Sequence, residues 1–304
     1  MLDDVHPPPT VPGGRYLRVS GRLSPDRRLR LRPGHLVDVP DRAAPRREGR
    51  AVAEVLDGRG QVRVRHPLGI GHRCAQGDGS VLLRGAVPFP EDAARVRVLF
   101  DGVVVGEIVR SAHAPRVVLR RTPTGEARGR QAVSWEATHA EGLQLHFFLR
   151  YSHDGGRRWN RITLRTGRPA IELDLDALPG GTDCRLAVVA SDGVNTTVVE
   201  SAPFSVPLKP CRATVLGPAD GARLGVDEPA RLRGQGYWLE ENRVETEHLT
   251  WTSSRDGELG RGVALDVRLS AGAHEIRLVA GDGTRAGSAL VRVAVGPDAA
   301  KAAR

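Results

Sequence analysis

Across 304 residues the chain carries 40% apolar and only 4% aromatic side chains, with a formal net charge of +9. That length suits two or three domains of about 100–150 residues, whose cores must be filled by Val, Leu, Ala and Ile. No apolar run approaches the about 18–20 residues of a spanning helix. The 36 Gly and 21 Pro exceed the about 12% of average usage, which argues for many turns and few helices.

The chain opens on Met1-Leu2-Asp3-Asp4-Val5-His6-Pro7-Pro8-Pro9. This acidic, proline-rich start lacks the basic and apolar regions of a signal peptide. On its own N-terminus the chain therefore reads as cytoplasmic, unless it leaves by another route or is the tail of something larger. Residues 1–13 are expected to be disordered.

The next stretch, 14–116, reads as a β-sandwich. Arg28-Leu29-Arg30-Leu31-Arg32 and Gln61-Val62-Arg63-Val64-Arg65 alternate with period two, placing apolar residues on one face and arginine on the other. Residues 1–130 hold 24 Arg against 14 Asp and Glu, whereas 131–304 hold 21 Lys and Arg against 22 Asp and Glu. The basic excess thus belongs to the first module.

Three segments then end alike. Arg95–Phe100 runs into Asp101-Gly102, Arg185–Ser191 into Asp192-Gly193, and Glu275–Gly281 into Asp282-Gly283. Each is followed by another β-rich run (103–109, 196–206 and 288–295). Asp-Gly between alternating apolar runs signals a hairpin, because both residues tolerate positive φ. The repeat of about 90 residues is too long for a solenoid and fits duplication of whole domains.

Proline-bearing joints at Ala114-Pro115 and Val206-Pro207-Leu208-Lys209-Pro210 separate the copies. Joints this short and stiff make a semi-rigid rod. The divisions expected are 14–116, 117–207 and 208–296, with a disordered tail at 297–304.

The middle module resembles a fibronectin type III domain. Val133-Ser134-Trp135 matches that family's B-strand tryptophan, and Phe148-Leu149-Arg150-Tyr151-Ser152 its C strand. Tyr151–Trp159 is similar to the C–C′ hairpin, and Leu178–Cys184 to the E–F corner. The family places tyrosine where Cys184 stands, which puts the corner's hydrogen bond in question.

The third module resembles bacterial Ig-like or PKD-like domains through Trp251, Asp256-Gly257, Leu259-Gly260, Gly262 and the run from Leu269 to Ile276. The fold class is then all-β: three tandem Ig-like or fibronectin III-like β-sandwiches. Such modules typically form C-terminal accessory regions of bacterial multidomain secreted or surface proteins. That resemblance implies an extracellular or cell-surface setting, and it says little about activity.

Candidate sites are sparse. His66, His72, Cys74 and Asp78 fall close together, but their irregular spacing lacks the pattern of a zinc site. Glu172, Asp174 and Asp176 alternate with Ile171, Leu173 and Leu175, so they form an acidic face that could dock a basic surface. As a calcium site, one straight strand is the wrong geometry. The Asp-Gly aspartates are explained by turn chemistry.

Trp135 and Trp251 read as core. Tyr237 and Trp238, with Trp159, are the possible ligand surface. Cys184 and Cys211 are either one bridge or two small core thiols. The basic first module has only Tyr16, Phe89 and Phe100 as aromatics, too few for a nucleic-acid stacking platform. No GxSxG, Walker or GxGxxG motif is present, and no cofactor or metal is indicated.

The reading is a non-catalytic protein-interaction or spacer protein, a subunit or tail of a larger assembly, with a protein as the expected partner. The alternative is a carbohydrate-binding accessory module of a secreted hydrolase, with polysaccharide as its partner.

Overall fold

The computed structural model describes residues 10–11, 13–39, 42–43, 49–71, 79–226 and 228–296. These residues form 28 strands and two short 3-10 turns, grouped around three hydrophobic cores. Most of the two ends expected to be disordered lies outside the described residues. Thr10–Val11, within the first of them, pairs antiparallel with Arg42–Ala43.

In the first body a four-stranded sheet runs Val103–Val109, Ala93–Phe100, Ala51–Asp57, Val62–Pro67. Against it lies a five-stranded sheet of Leu29–Arg32, Gly14–Leu23, Val81–Pro88 and Gly69–Gly71, with Leu36–Val39 also on Gly14–Leu23. Alternation decides which side faces in. Leu17, Val19 and Leu23 are buried while Arg18 and Arg22 are exposed, as a pleated strand with one solvated face requires.

The second body sets three strands, Arg116–Arg121, Arg130–Thr138 and Ala170–Asp174, against Asn160–Arg161, His146–Ser152, Gly181–Ser191 and Thr196–Glu200. Trp135, Leu149, Tyr151, Leu186 and Val188 fill the space between. Trp135 meets Phe147 edge to face at 5.4 Å, a favoured aromatic geometry.

In the third body Arg212–Gly217, Ala230–Trp238, Arg243–Glu245 and Ala264–Val267 face a five-stranded sheet. There Ala222–Gly225 runs parallel to Gly287–Gly296, while the other pairings in that sheet are antiparallel.

Only one of the three expected Asp-Gly hairpins is a two-residue turn. Asp101 (φ 50°) and Gly102 (φ 79°) are both left-handed, and Phe100 pairs directly with Val103, as a type I′ turn demands. Asp192-Gly193 sits instead in a four-residue loop closed by Ser191 and Thr196, and Asp282-Gly283 in a longer one closed by Ala280 and Gly287. In the second copy the Asp192 carboxylate is used elsewhere: it accepts the Val194 N–H at 2.8 Å and reaches across the first joint.

That joint is stitched by side chains. Ser111 donates to Asp192 Oδ2 at 2.5 Å, the Asn195 amide donates to the Ser111 and His113 carbonyls at 2.9 and 3.1 Å, and Arg110 donates to Asn195 Oδ1 at 2.9 Å. The loop before Leu36–Val39 closes the other side. Ser191 donates to the Gly34 carbonyl at 2.9 Å, and the Leu36 N–H to Thr196 Oγ1 at 2.8 Å. A methyl group at Gly34 would stand 2.6 Å from the Gly193 carbonyl oxygen, so only glycine permits this approach.

At the second joint Glu240, 9% exposed, accepts the backbone N–H groups of Gly180 and Lys209 through Oε1 at 3.0 and 2.8 Å. Its other oxygen faces the Arg285 guanidinium at 3.6 Å. Asp176 pairs with Lys209 at 3.6 Å on the same joint.

Candidate functional site

The outer face of the first body's five-stranded sheet and residues of the second body enclose a cleft of about 980 Å³. Arginine dominates its walls. Arg18 and Arg84 come from adjacent strands at outward positions, and Arg32 from the strand whose register sets it opposite Ser20. The second body supplies Arg150 on His146–Ser152, Arg161 on the short strand beside it, and Arg165 from the following loop. Among the described residues no carboxylate comes within ion-pairing distance of any of the six. Asp38 acts on Arg150 only from farther away.

Their placement is electrostatically unfavourable. Arg150 and Arg161 are directly opposed across an antiparallel pair, a position where like charges repel. Burial holds the guanidinium of each below its ordinary pKa, and Arg161 lowers Arg150 further. Arg165 is lowered by burial and then by Arg161 and Arg32.

His35 lies 4.9 Å from Phe148, ring to ring, and its Nδ1 is buried without a hydrogen-bond partner. Burial first, then Arg165, Arg161, Arg18 and Arg150, push its pKa down to about 4, so the ring is neutral at neutral pH. The Phe148 ring itself is covered by the Arg161 guanidinium at 4.4 Å and approached by Arg150 at 5.7 Å. Leu164 stands 89% exposed at the rim.

Sequence reasoning saw the basic first module but missed this cleft. Five of its lining residues, three of the arginines among them, come from the second body, more than 60 positions downstream of the last lining residue of the first.

The acidic face is shorter than expected and internally paired. The strand ends at Asp174, whose carboxylate caps the following turn by accepting the Asp176 N–H at 3.0 Å. Glu172 pairs with Arg130 at 3.1 Å and Asp176 with Lys209. A row of three free carboxylates is therefore not what the backbone builds.

Trp238 also requires a correction. It is 2% exposed, its indole N–H donates to Glu245 Oε2 at 2.8 Å, and Arg285 stacks over its ring at 4.5 Å. Strand parity sends it inward and its neighbour Tyr237 outward, where the hydroxyl bonds Asn242 Oδ1. Trp159 is half-buried and its indole lies against Gly156 within its own hairpin. The structure thus separates the three aromatics. It does bring Tyr237 and Asp176 together, in a groove of about 340 Å³ beside Lys209.

His66 is buried on Val62–Pro67, and His72, Cys74 and Asp78 lie outside the described residues. Among the described residues no group of three or more His, Cys, Asp or Glu is placed to hold a metal ion, and no helix is long and apolar enough to cross a membrane. Cys184 and Cys211 are free and buried in separate cores. The corner bond in question near Cys184 is made from the neighbouring strand: Tyr151 donates to the Pro179 carbonyl at 2.6 Å, with Cys184 Sγ 3.1 Å away.

Sheet order and packing define the class, an all-β protein of tandem fibronectin III-like and Ig-like sandwiches. No protein-family description matches the chain, and no curated protein matches it. Among solved structures it is similar to the fibronectin(III)-like modules of CbhA from Clostridium thermocellum, at 15% identity and TM-score 0.26 over 60% of this chain and 95% of that one. A structure bearing on Dscam isoform specificity aligns at 13% identity and TM-score 0.24, over 86% and 77% of the two chains. β-Glucuronidase 3 of Bacteroides uniformis aligns at 10% identity and TM-score 0.20, over 65% of this chain and 28% of that one.

Proposed function

We propose that the chain is a non-catalytic interaction and spacing protein, a semi-rigid rod of sandwich modules that presents loops and sheet edges to a protein partner within a larger assembly. The observation that carries this reading is the pair of joints. Asp192 and Asn195 at one, and Glu240 at the other, bond across the module boundary from buried or half-buried positions. Buried polar groups of this kind are costly to leave unpaired, so they favour one relative setting of the modules over free hinging. Spacing needs that property; an independent string of domains does not.

The expected placement of the modules at 14–116, 117–207 and 208–296 belongs to this reading, as does an accessory role outside the cell. The carbohydrate alternative depended on a Tyr237–Trp238 platform, and a buried Trp238 removes half of it.

Two measurements on the full chain test the proposal together. Small-angle scattering should give one extended particle of constant length, and affinity purification from native extract should recover a stoichiometric protein partner. Scattering of freely reorienting modules, together with recovery of the chain alone at every salt concentration, overturns it.

A further inference from the structure

We infer that the arginine cleft between the first and second bodies is a binding site for an acidic polypeptide segment carrying at least one apolar side chain. This deepens the interaction reading and rests on it.

Six guanidinium groups from two bodies line one concave space of about 980 Å³. Several arginines elsewhere find carboxylates, as Arg50 does with Asp101, Arg120 with Glu136 and Arg95 with Glu107. The cleft gathers six with no carboxylate of the described residues in ion-pairing range. Setting Arg150 opposite Arg161 works against folding, and the joint bonds from Ser191 to the Gly34 carbonyl and from the Leu36 N–H to Thr196 hold both walls in place. A preformed, unneutralised concavity is matched by an anionic ligand. Guanidinium forks suit carboxylates, which they grip with two parallel bonds.

The remaining lining chooses among polyanions. An oligonucleotide draws much of its affinity from bases stacked on open aromatic faces. Phe148 is 4% exposed and Arg161 already occupies its face, while the described residues include no helix to enter a groove. An anionic polysaccharide satisfies the arginines but offers nothing to Leu164, an apolar side chain left 89% exposed at the rim, or to Val37 and Ala86 in the floor. A peptide rich in Asp and Glu around one Leu or Ile satisfies both.

The test uses the full chain and a fluorescein-labelled heptapeptide of six glutamates around a central leucine, read by anisotropy at low ionic strength. Competitors are a thymidine oligonucleotide and a uronic-acid oligosaccharide of equal charge. The peptide should bind. Arg165→Glu and Arg161→Glu should each weaken it about tenfold or more, and Leu164→Ser about threefold. Reversal of an exposed arginine outside the cleft, Arg268→Glu, should leave binding within a factor of two, and all variants should stay folded, melting no lower than the parent.

No binding by the folded parent, equal loss with Arg268→Glu, or displacement by the oligonucleotide or uronate at lower concentration than by unlabelled peptide overturns the assignment. Those results leave the joints and the recovered partner untouched, so failure of the cleft is distinct from failure of the interaction reading.

Discussion

Glu240 accepts the backbone N–H of Gly180 through Oε1 at 3.0 Å, across the second joint. Because the same oxygen takes the Lys209 N–H, one carboxylate satisfies two donors of the connecting backbone. Glu240→Ala strands both, at about 1–3 kcal/mol for the buried Gly180 donor and less for the half-buried Lys209 donor. Glu240→Gln keeps an amide oxygen there and loses only the charge toward Arg285. Hydrogen exchange at Gly180 and Lys209 should therefore quicken at least about tenfold in the alanine variant, and far less in the glutamine variant. Equal protection in all three proteins would refute the joint.

Gly34 makes the complementary case at the first joint. A β-carbon there would meet two backbone oxygens, Gly193 O at 2.6 Å and Arg18 O at 2.7 Å. Neither is the end of a flexible side chain; the Gly193 oxygen belongs to the second body, so relief of that contact requires the bodies to part. Gly34→Ala should destabilise the joint by about 1–3 kcal/mol. It should also lengthen the distance between labels placed in the first and second bodies, measured by spin-label spectroscopy. An unchanged distance distribution and melting curve would show that the loop yields locally.

Much of the architecture was legible because strand parity is a local property. Arg18, Arg30 and Arg63 alternate with apolar neighbours, and the structure turns them outward accordingly. The same parity could have corrected Trp238. Along Ala230–Trp238, positions 230, 232, 234, 236 and 238 share the buried face. The glycines at 234 and 236 make room there: an added β-carbon would press on Leu278 and Trp251, or on Cys211.

Convergence is what sequence spacing could not disclose. Arg18 and Arg165 stand 147 positions apart in the chain and line one cleft only because the first two sandwiches adjoin. The Asp-Gly repeat misled in a different way. At Asp101-Gly102 the dipeptide closes a tight turn while its carboxylate pairs with Arg50 within the same body, but Asp192 bonds across the joint from a four-residue loop.

Tyr151 shows how the second core tolerates a cysteine at the corner. Its hydroxyl donates to the Pro179 carbonyl at 2.6 Å, and burial pushes its pKa up, so it stays a donor throughout the working range. Tyr151→Phe removes the donor and leaves that carbonyl unpaired, costing about 1–2 kcal/mol. A Cys184→Ala variant loses a small apolar group and two weak sulfur contacts, to the Tyr151 hydroxyl and the Gly181 carbonyl, at a lower cost. Denaturant unfolding read at Trp135, in the same core, should rank the tyrosine change as the more damaging. The reverse order would mean that packing around the thiol, rather than the hydroxyl, secures the corner.

Acid should act first on the third body through Glu245. Its carboxylate, 2% exposed, accepts the Trp238 indole N–H and the backbone N–H groups of Glu247 and His248. Led by the indole bond, and against the cost of burial, these donors hold its pKa down from 4.5 to about 2. A group whose folded pKa is depressed stabilises the fold fully above its unfolded value and loses that contribution as pH falls toward the folded one. The window is therefore about pH 4.5 down to 2, where the melting temperature of the third body should drop. Glu245→Gln keeps one acceptor oxygen but has no proton to gain, so it should start less stable at neutral pH and decline less across the window. Tryptophan fluorescence of Trp238 and Trp251 follows the transition directly. Parallel acid curves for the two proteins would mean that another carboxylate governs it.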